Sequence, residues 1–288
     1  MDNLSHESAP TAAYQKGLPV LKSIHSLTHS VLQATDGEIG KVEECLFDDE
    51  KWTVRYLVVK TGSWLSGKKV LISPKSVRGV NLWEKSLLVS LTRKQVEQSP
   101  DIDTDKPVSR QMETQFHDYY GWPYYWADAG YWGMAPYPGG IPGSPYHQLD
   151  PVGPSRLEGG QKRGDPHLRS TREVTGYGIE ASDDGFGHVQ DFIVDDASWG
   201  IRYLVIDTMN FWPSKSVVLA PEWVDSISWT DRRIRVGLSK ESIKSSPEYR
   251  TDRPFDRDYE ERLYSHYGRA RYWDQGFTVV PGETKKVG

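Results

Sequence analysis

Residues 52–61 have the sequence WTVRYLVVKT, and residues 199–208 have the sequence WGIRYLVIDT. Both stretches are rich in β-branched and aromatic side chains, which is typical of a pleated and largely buried strand. Each stretch follows a turn with two adjacent aspartates, Asp48-Asp49 and Asp195-Asp196, whose side chains can hydrogen-bond their own backbone and close a hairpin. The recurrence predicts that one architecture occurs twice in the chain.

The register between the two copies is constant well beyond these strands. Trp52 corresponds to Trp199, an offset of 147 residues, and the match runs without a gap from residues 39–126 onto residues 186–273. Gly40 meets Gly187 in this alignment, and Trp126 meets Trp273. A gapless match of this length indicates a tandem duplication into two units of ordinary domain size.

The composition describes a protein without obvious catalytic or nucleic-acid-binding chemistry. The 288 residues are 37% hydrophobic with a mean hydropathy of -0.63, but 11 Trp and 16 Tyr supply large buried area per residue. The net charge of -5 is spread evenly and shows no basic excess, which argues against nucleic acid as the partner. No apolar run is long enough to span a membrane, and no secretory signal is visible, so we expect a cytoplasmic location.

The strand signals fall in the same order in both units. Short strands joined by connections of a few residues favour a small closed barrel over an open sheet. A capping box at residues 92–95 then predicts a short helix, and an apolar stripe predicts an amphipathic helix over about 108–120, with a counterpart near 256–267. The predicted fold class is therefore mainly β, with two tandem small β-barrels that are each followed by a short helix and an amphipathic helix. The predicted strands are 30–34, 39–47, 52–61, 69–72, 78–83 and 87–91, then 186–194, 199–208, 217–219, 225–229 and 234–238.

The amphipathic helix has one apolar face that is repeated after the duplication. Gly121 follows the first helix as a natural stop, and Gly268 takes its place in the second copy. A helix whose apolar stripe is repeated has a surface to bury against. The stripe consists of Met112, Phe116, Tyr119 and Tyr120 in the first copy and Tyr259, Leu263 and Tyr267 in the second.

Changes in composition predict five segments along the chain. Residues 1–19 and 274–288 are polar ends without periodicity, predicted as a disordered lead-in and a polar tail. Residues 20–126 and 170–273 are the two barrel units with their helices. Residues 127–169 form an aromatic, Gly-rich and Pro-rich linker, in which no helical or strand period survives.

The order of short motifs resembles the PRC-barrel domain. This family includes the cytoplasmic domain of the photosynthetic reaction-centre H subunit and the C-terminal domain of the ribosome maturation factor. The resemblance implies a protein-docking barrel used in assembling a larger complex, without a shared set of catalytic residues. The motifs are Asp36-Gly37, Gly40-Lys41-Val42, Asp48-Asp49, Arg55-Tyr56-Leu57-Val58 and the triplet before Pro74, and they return as Asp184-Gly185, Gly187-His188-Val189, Asp195-Asp196, Arg202-Tyr203-Leu204-Val205 and the triplet before Pro221.

A cluster of aromatic residues after the first amphipathic helix is the main candidate site. Flat amphipathic rings could form a platform for a sugar, a planar ligand or a proline-rich partner, or they could pack over their own barrel. Rings that are repeated, such as Trp126, favour packing, and rings without a counterpart favour binding. The candidate residues are Trp122, Tyr124, Tyr125, Tyr131, Trp132 and Tyr137.

Two loops between strands carry large apolar residues, Trp64-Leu65 and Phe211-Trp212. They could form exposed docking patches, or they could plug the barrel mouths. The paired aspartates are explained by turn chemistry, and no third ligand joins the histidines at positions 25 and 29. The single Cys45 cannot form an internal disulfide. We therefore predict no catalytic residue, no metal site and no cofactor.

These observations favour a non-enzymatic cytoplasmic scaffold or adaptor that docks protein partners. Its two barrels would pack as an internal pseudo-dimer with twofold symmetry, and further oligomerisation stays open. A small-molecule binder with a pocket between the barrels, lined by the aromatic segment, is the first alternative. The resemblance alone adds two others, a ribosome-associated or RNA-associated assembly factor and a role in photosynthetic electron transfer like that of the H subunit.

Overall fold

The computed structural model describes residues 20–81, 84–100, 108–127, 132, 138, 167–208, 215–253 and 255–274. The fold is mainly β, as predicted, and consists of two mixed sheets of seven strands each. The first half of the chain contributes β1 (Leu21–Ser23), α1 (Ile24–Leu27), β2 (Val31–Ala34), β3 (Gly37–Asp48), β4 (Thr53–Thr61), β5 (Lys69–Ile72), β6 (Val77–Asn81), β7 (Ser86–Val89), α2 (Arg93–Glu97) and α3 (Arg110–Tyr120).

The second half repeats the same order of elements. Each begins within one residue of the 147-residue offset from its counterpart. These elements are β8 (Leu168–Ser170), α4 (Thr171–Val174), β9 (Gly178–Glu180), β10 (Gly185–Asp195), β11 (Ile201–Asp207), β12 (Ser216–Leu219), β13 (Val224–Ser228), β14 (Arg233–Val236), α5 (Lys240–Ser245) and α6 (Arg257–Tyr267).

Both sheets have the same strand order and are open by hydrogen bonding. The orders are β5-β4-β3-β2-β7-β6 and β12-β11-β10-β9-β14-β13. The two end strands of the first sheet, β5 and β6, follow each other in sequence. Among the described residues they are not paired, because the chain turns between them through a 3-10 turn at Pro74–Ser76. The sequence analysis predicted a closed barrel, but the hydrogen-bond ladder is not closed between β5 and β6.

The two halves exchange strands. β1 pairs antiparallel with β10 of the second sheet, and β8 pairs antiparallel with β3 of the first sheet. Each sheet therefore receives its seventh strand from the other half of the chain. The two exchanged strands are only three residues long, and the sequence analysis predicted neither. β8 also lies across the predicted unit boundary at residue 170.

The halves also meet at the ends of their central strands. Val54 N donates to Trp199 O at 2.9 Å, and Ile201 N donates to Trp52 O at 2.6 Å. Val54 is equivalent to Ile201, and Trp52 is equivalent to Trp199. Exchanging the two halves therefore turns each of these hydrogen bonds into the other. The contact has the pseudo-twofold symmetry that an internal pseudo-dimer requires.

Side chains repeat this reciprocity around the junction. The Ser23 hydroxyl donates to Asp191, and the equivalent Ser170 hydroxyl donates to Glu44. The rings of Phe47 and Phe192, one from each half, lie 5.8 Å apart across the junction. Both phenylalanines are buried, so the hydrophobic core is continuous between the halves.

The short turns and caps form as the sequence predicts. Asp48 accepts hydrogen bonds from the backbone N–H groups of Glu50 and Lys51, and Asp195 does the same in the second half. Thr92 and Gln95 make the capping box of α2. α3 ends at Gly121, which has a left-handed φ of 66°. Within the described part of the chain, no helix has the length and apolar character needed to cross a membrane.

The apolar stripe of α3 is only partly buried. Phe116 lies in the core, whereas Tyr119 at the same helical face is 40% exposed. Glu113 and His117 are buried in its place, so the helix is rotated toward its polar residues. This position is explained by the hydrogen bond that Glu113 accepts from Tyr56 on β4.

Candidate functional site

Glu113 is the centre of a buried cluster that joins α3 to β4 and to the residues after the helix. Tyr56 donates to Glu113 Oε1 at 2.9 Å, and Tyr125 donates to the same oxygen at 2.5 Å. Arg110, one helical turn earlier, pairs with Glu113 Oε2 at 3.0 Å. We call these four residues the first carboxylate cluster. Tyr56 joins the helix to the sheet, Tyr125 joins it to the residues that follow the helix, and Arg110 adds an ion pair within α3.

The second half contains the same cluster around Glu260. Tyr203 donates to Glu260 Oε1 at 2.6 Å, Tyr272 donates at 2.9 Å, and Arg257 pairs with Oε2 at 2.9 Å. Burial raises the pKa of the Glu260 carboxyl, against the lowering effect of its partners. Burial and Glu260 raise the pKa of Tyr272, so this phenol is a neutral donor. We call this set the second carboxylate cluster.

Arg55 extends the first carboxylate cluster toward the other half of the molecule. It pairs with Asp48 at 2.9 Å, and its guanidinium lies 3.9 Å from the centre of the Tyr125 ring. The same guanidinium is 5.0 Å from the Trp132 ring. Trp132 Nε1 donates to Ser198 O, in the second half, at 2.7 Å. Arginine against an aromatic face is a favourable contact, and more so where water is excluded.

Two of the predicted binding rings are therefore interior residues. Tyr125 and Trp132 are each 2% exposed and pack within the first half and against the junction. Their polar atoms are used in hydrogen bonds to protein groups, as buried tyrosine and tryptophan require. Tyr131 and Tyr137 lie outside the described residues.

Trp122 and Tyr124 are partly exposed and lie just before Tyr125 of the first carboxylate cluster in the sequence. Trp122 stacks on Tyr120 with ring centres 4.3 Å apart, and Tyr124 stacks on Trp126 at 4.8 Å. The Tyr124 hydroxyl donates to Asp118 at 2.5 Å. We call Tyr120, Trp122, Tyr124 and Trp126 the aromatic face.

The aromatic face has no full counterpart in the second half. The offset places Arg269 where the first half has Trp122, and Arg271 where it has Tyr124. Arg269 is exposed, and Arg271 lies near Glu261 at 3.9 Å. The two halves thus share a frame but present different chemistry at the same place on their surfaces.

A second difference is found inside the clusters, at Lys75 and His117. Lys75 Nζ donates to Pro123 O at 2.7 Å, and His117 Nδ1 lies 3.0 Å from the same oxygen. Burial, followed by the charge of Arg55, lowers the pKa of Lys75 to about 7. Burial, followed by the charge of Lys75, lowers the pKa of His117 to about 3. Both groups lie in a place that disfavours positive charge.

The second half has Glu222 and Tyr264 at these two positions. The Tyr264 hydroxyl donates to Glu222 Oε1 at 3.1 Å. Burial and the carboxylate raise the pKa of the Tyr264 phenol. An acid and a phenol therefore replace an amine and an imidazole in an otherwise repeated frame. The sequence analysis did not single out these positions, although the gapless alignment contains the difference.

The loop residue Trp64 is fixed against the first sheet. Its indole donates to Ile39 O at 2.8 Å, and the Arg93 guanidinium lies 4.3 Å from its ring. Leu65 also packs against the core while remaining partly exposed. Trp64 is therefore anchored to the sheet, and both the docking and the plugging interpretation of this loop stay predictions. Phe211 and Trp212 fall outside the described residues.

No metal-binding group of three or more His, Cys, Asp or Glu side chains occurs in the described ranges. Two hollows of about 450 and 500 Å³ lie on the second sheet, and both are lined by Glu180, Asp231 and Arg233. Their volumes are in the range of small-molecule sites, but Glu180 is paired with Arg233 and Arg235. Neither hollow lies between the two halves, where the sequence analysis placed an alternative ligand pocket.

One comparison with known proteins identifies the architecture. Residues 28–96 match the family model of the PRC-barrel domain. The matched range runs from the residues before β2 to α2, so it leaves out the exchanged strands β1 and β8. No curated protein matches the chain. The chain carries a PRC-barrel domain at residues 28–96, and a second sheet of similar architecture follows it.

Proposed function

We propose that this protein is a non-catalytic scaffold that docks a protein partner on the aromatic face of its first half. The observation that carries the proposal is the pair of partly exposed stacks, Trp122 on Tyr120 and Tyr124 on Trp126. Tyrosine and tryptophan are enriched at the centres of protein interfaces, where they supply contact area with few rotatable bonds. Single exposed apolar residues are ordinary, but four rings side by side form a patch.

The aromatic face is held in place before any partner arrives. It begins at the last residue of α3, which Tyr56 of the first carboxylate cluster ties to β4, and Tyr124 is anchored by its bond to Asp118. Rings that are already ordered lose less entropy on binding than rings on a flexible loop. This supports a recognition surface for a folded partner or for an extended peptide.

The proposal that the protein is not an enzyme is supported by how its buried polar groups are used. Glu113 and Glu260 bind tyrosines and arginines of their own half, and Asp48 binds Arg55. These groups connect secondary-structure elements and do not converge on an open cleft. The offset between equivalent elements, which is within one residue of 147 throughout, also supports an origin by tandem duplication.

The test compares equivalent positions in the two halves. The full chain is tagged and used to isolate partners as wild type, as Trp122→Ala/Tyr124→Ala and as the control Arg269→Ala/Arg271→Ala. We expect the same partner with the wild type and the control, and a partner affinity at least about 30-fold weaker with the aromatic variant, because truncating an interface anchor costs about 2 kcal/mol or more. Equal binding by all three proteins, at unchanged melting temperature, contradicts the proposal.

The proposed cytoplasmic location is tested separately. Cell fractionation of the tagged chain should recover the protein with the cytoplasmic fraction. Recovery with membranes or in an exported fraction would contradict this part of the proposal, but it would leave the docking surface itself untouched.

A further inference from the structure

Lys75 lies at a junction that connects both halves of the molecule. It is 7% exposed, in the 3-10 turn at Pro74–Ser76. Its Nζ donates to Pro123 O at 2.7 Å and lies 5.5 Å from the centre of the Trp132 ring. Trp132 is in turn bonded to Ser198 of the second half. Lys75 therefore supports one end of a bridge between the halves.

The described residues around Lys75 give its positive charge little support. Within the described ranges, no carboxylate pairs with its Nζ, and its one hydrogen-bond acceptor there is Pro123 O. From β4, Arg55 adds a second positive charge, which is itself paired with Asp48. Burying an ammonium without a carboxylate is costly, and one carbonyl with one aromatic ring offsets only part of that cost.

The groups that face Lys75 from α3 do not change this balance near neutral pH. His117 stays neutral, because its own pKa is depressed by burial and by Lys75. Arg110 and Glu113 compensate each other as an ion pair at 3.0 Å. The phenol of Tyr125 stays protonated, because burial and Glu113 raise its pKa. Among the described groups around it, Lys75 is thus the one that changes charge between neutral and alkaline pH.

We propose that Lys75 is the proton-binding residue of a pH-sensitive latch formed by residues 122–127 and Trp132. The latch is closed when the Lys75 amine is neutral and stays under Trp132. It opens when Lys75 binds a proton, because the ammonium then gains hydration that the closed site denies it. Opening breaks the contact of Trp132 with Ser198 and so loosens the bridge between the halves. This conformational device does not depend on the proposed docking function.

The direction of the pH effect follows from proton linkage. In the closed form the pKa of Lys75 is lowered to about 7, whereas a hydrated lysine has the ordinary value of 10.5. Between these two values the open form binds one proton more than the closed form. The opening constant therefore rises about tenfold for each unit by which the pH falls from about 10 to about 7, and it levels off below about 7.

The experiment follows the indole N–H of Trp132, which is hydrogen-bonded to Ser198 O in the closed form. Its exchange with solvent is measured by NMR on the full chain at pH 6, 7, 8 and 9 and corrected for the intrinsic rate at each pH. We expect the protection factor to rise about tenfold per unit from pH 7 to 9 in the wild type. The backbone N–H of Val54, bonded to Trp199 O at the junction, reports global opening in the same samples.

Two variants of Lys75 bracket the effect. Lys75→Met never carries the charge, so its Trp132 protection should be high and independent of pH. Lys75→Arg always carries the charge, so its protection should be low and independent of pH. If Lys75→Arg does not fold, the comparison of wild type with Lys75→Met is sufficient. A wild-type profile as flat as that of Lys75→Met overturns the proposal, and so does equal protection at Trp132 and Val54, which would mean that the bridge opens only by global unfolding.

Discussion

Thr53 and Gly200 occupy equivalent positions in the two halves and form an antiparallel β-bridge with each other. A residue that pairs with its own counterpart lies on the pseudo-twofold axis. The hydrogen bonds on either side of this bridge, together with the exchange of β1 and β8, make each half part of the other's sheet. The two halves are thus one structural unit.

Unfolding should therefore occur as a single cooperative transition. Phe47 is fully buried and contacts Phe192 across the axis, so Phe47→Ala should reduce the free energy of unfolding by about 3–5 kcal/mol. Urea titration followed by circular dichroism measures this loss, with Leu88→Ala at a 50% exposed position as the control. Two separate transitions in the wild type would show that the halves unfold independently.

The two carboxylate clusters should contribute equally to stability. Glu113→Gln leaves Arg110 without its buried charge partner, and Glu260→Gln does the same to Arg257. We expect each variant to lose about 1–3 kcal/mol, because the ion pair is lost and the two tyrosines then donate to a neutral amide instead of a buried carboxylate. Denaturant titrations of the two variants side by side provide the measurement. A loss in only one of them would contradict an equivalent role.

His117 should make stability fall in mild acid. Its pKa is lowered to about 3 in the folded protein, whereas its ordinary value is 6.5. The contribution of neutral His117 is complete above about pH 6.5 and is lost between about pH 6.5 and about pH 3, at about 1.4 kcal/mol per pH unit. Urea titrations from pH 7 to pH 4 should show a shallower slope in His117→Gln. Tyr264→Phe, at the equivalent position, should keep the wild-type slope.

Trp132 should behave as a core residue and Trp122 as a surface residue. Trp132→Ala removes a 2% exposed side chain, which should cost about 3–5 kcal/mol. Trp122→Ala removes a partly exposed ring and should cost less than about 1 kcal/mol. Thermal melting of both variants distinguishes the two roles. A lower melting temperature for Trp122→Ala than for Trp132→Ala would reverse our assignment.

Gly40 and Gly187 should not tolerate a side chain. A Cβ at Gly40 would lie 2.0 Å from Lys60 O, and one at Gly187 would lie 2.3 Å from Asp207 O. Alanine at either position must move the neighbouring strand, so we expect a loss of about 1–3 kcal/mol or more. Gly185→Ala, with open space around the new atom, is the control. Melting temperatures of the three variants are the measurement.

The strands that the sequence analysis predicted are those with strong local patterns. β4 is buried from Thr53 to Val59, and its β-branched and aromatic residues predict a buried strand. β1 and β8 are missed because each has only three residues and acquires its structure from the opposite half. The local pattern of three residues contains no information on a partner strand that is far away in the sequence. The exchange follows only from the three-dimensional arrangement.

The candidate site could be predicted in part. The aromatic segment is evident from composition, but the division into an exposed pair, Trp122 and Tyr124, and a buried pair, Tyr125 and Trp132, depends on contacts across the halves. The burial of Glu113 was also missed, since glutamate in a helix is ordinarily solvated. A usable signal existed, because Glu113 and Arg110 recur as Glu260 and Arg257 in a helix where most other polar residues have changed.

The position of β8 in the chain has a consequence for protein synthesis. The first sheet cannot be completed until Leu168–Ser170 has left the ribosome, long after α3 has been made. The second sheet, in turn, takes its seventh strand from β1, which was translated first and stays unpaired until β10 has been made. A nascent first half therefore presents an unfilled strand position on β3 throughout translation of the linker, and such edges invite wrong pairing. The same exchange that unites the mature protein makes the growing chain dependent on timely completion.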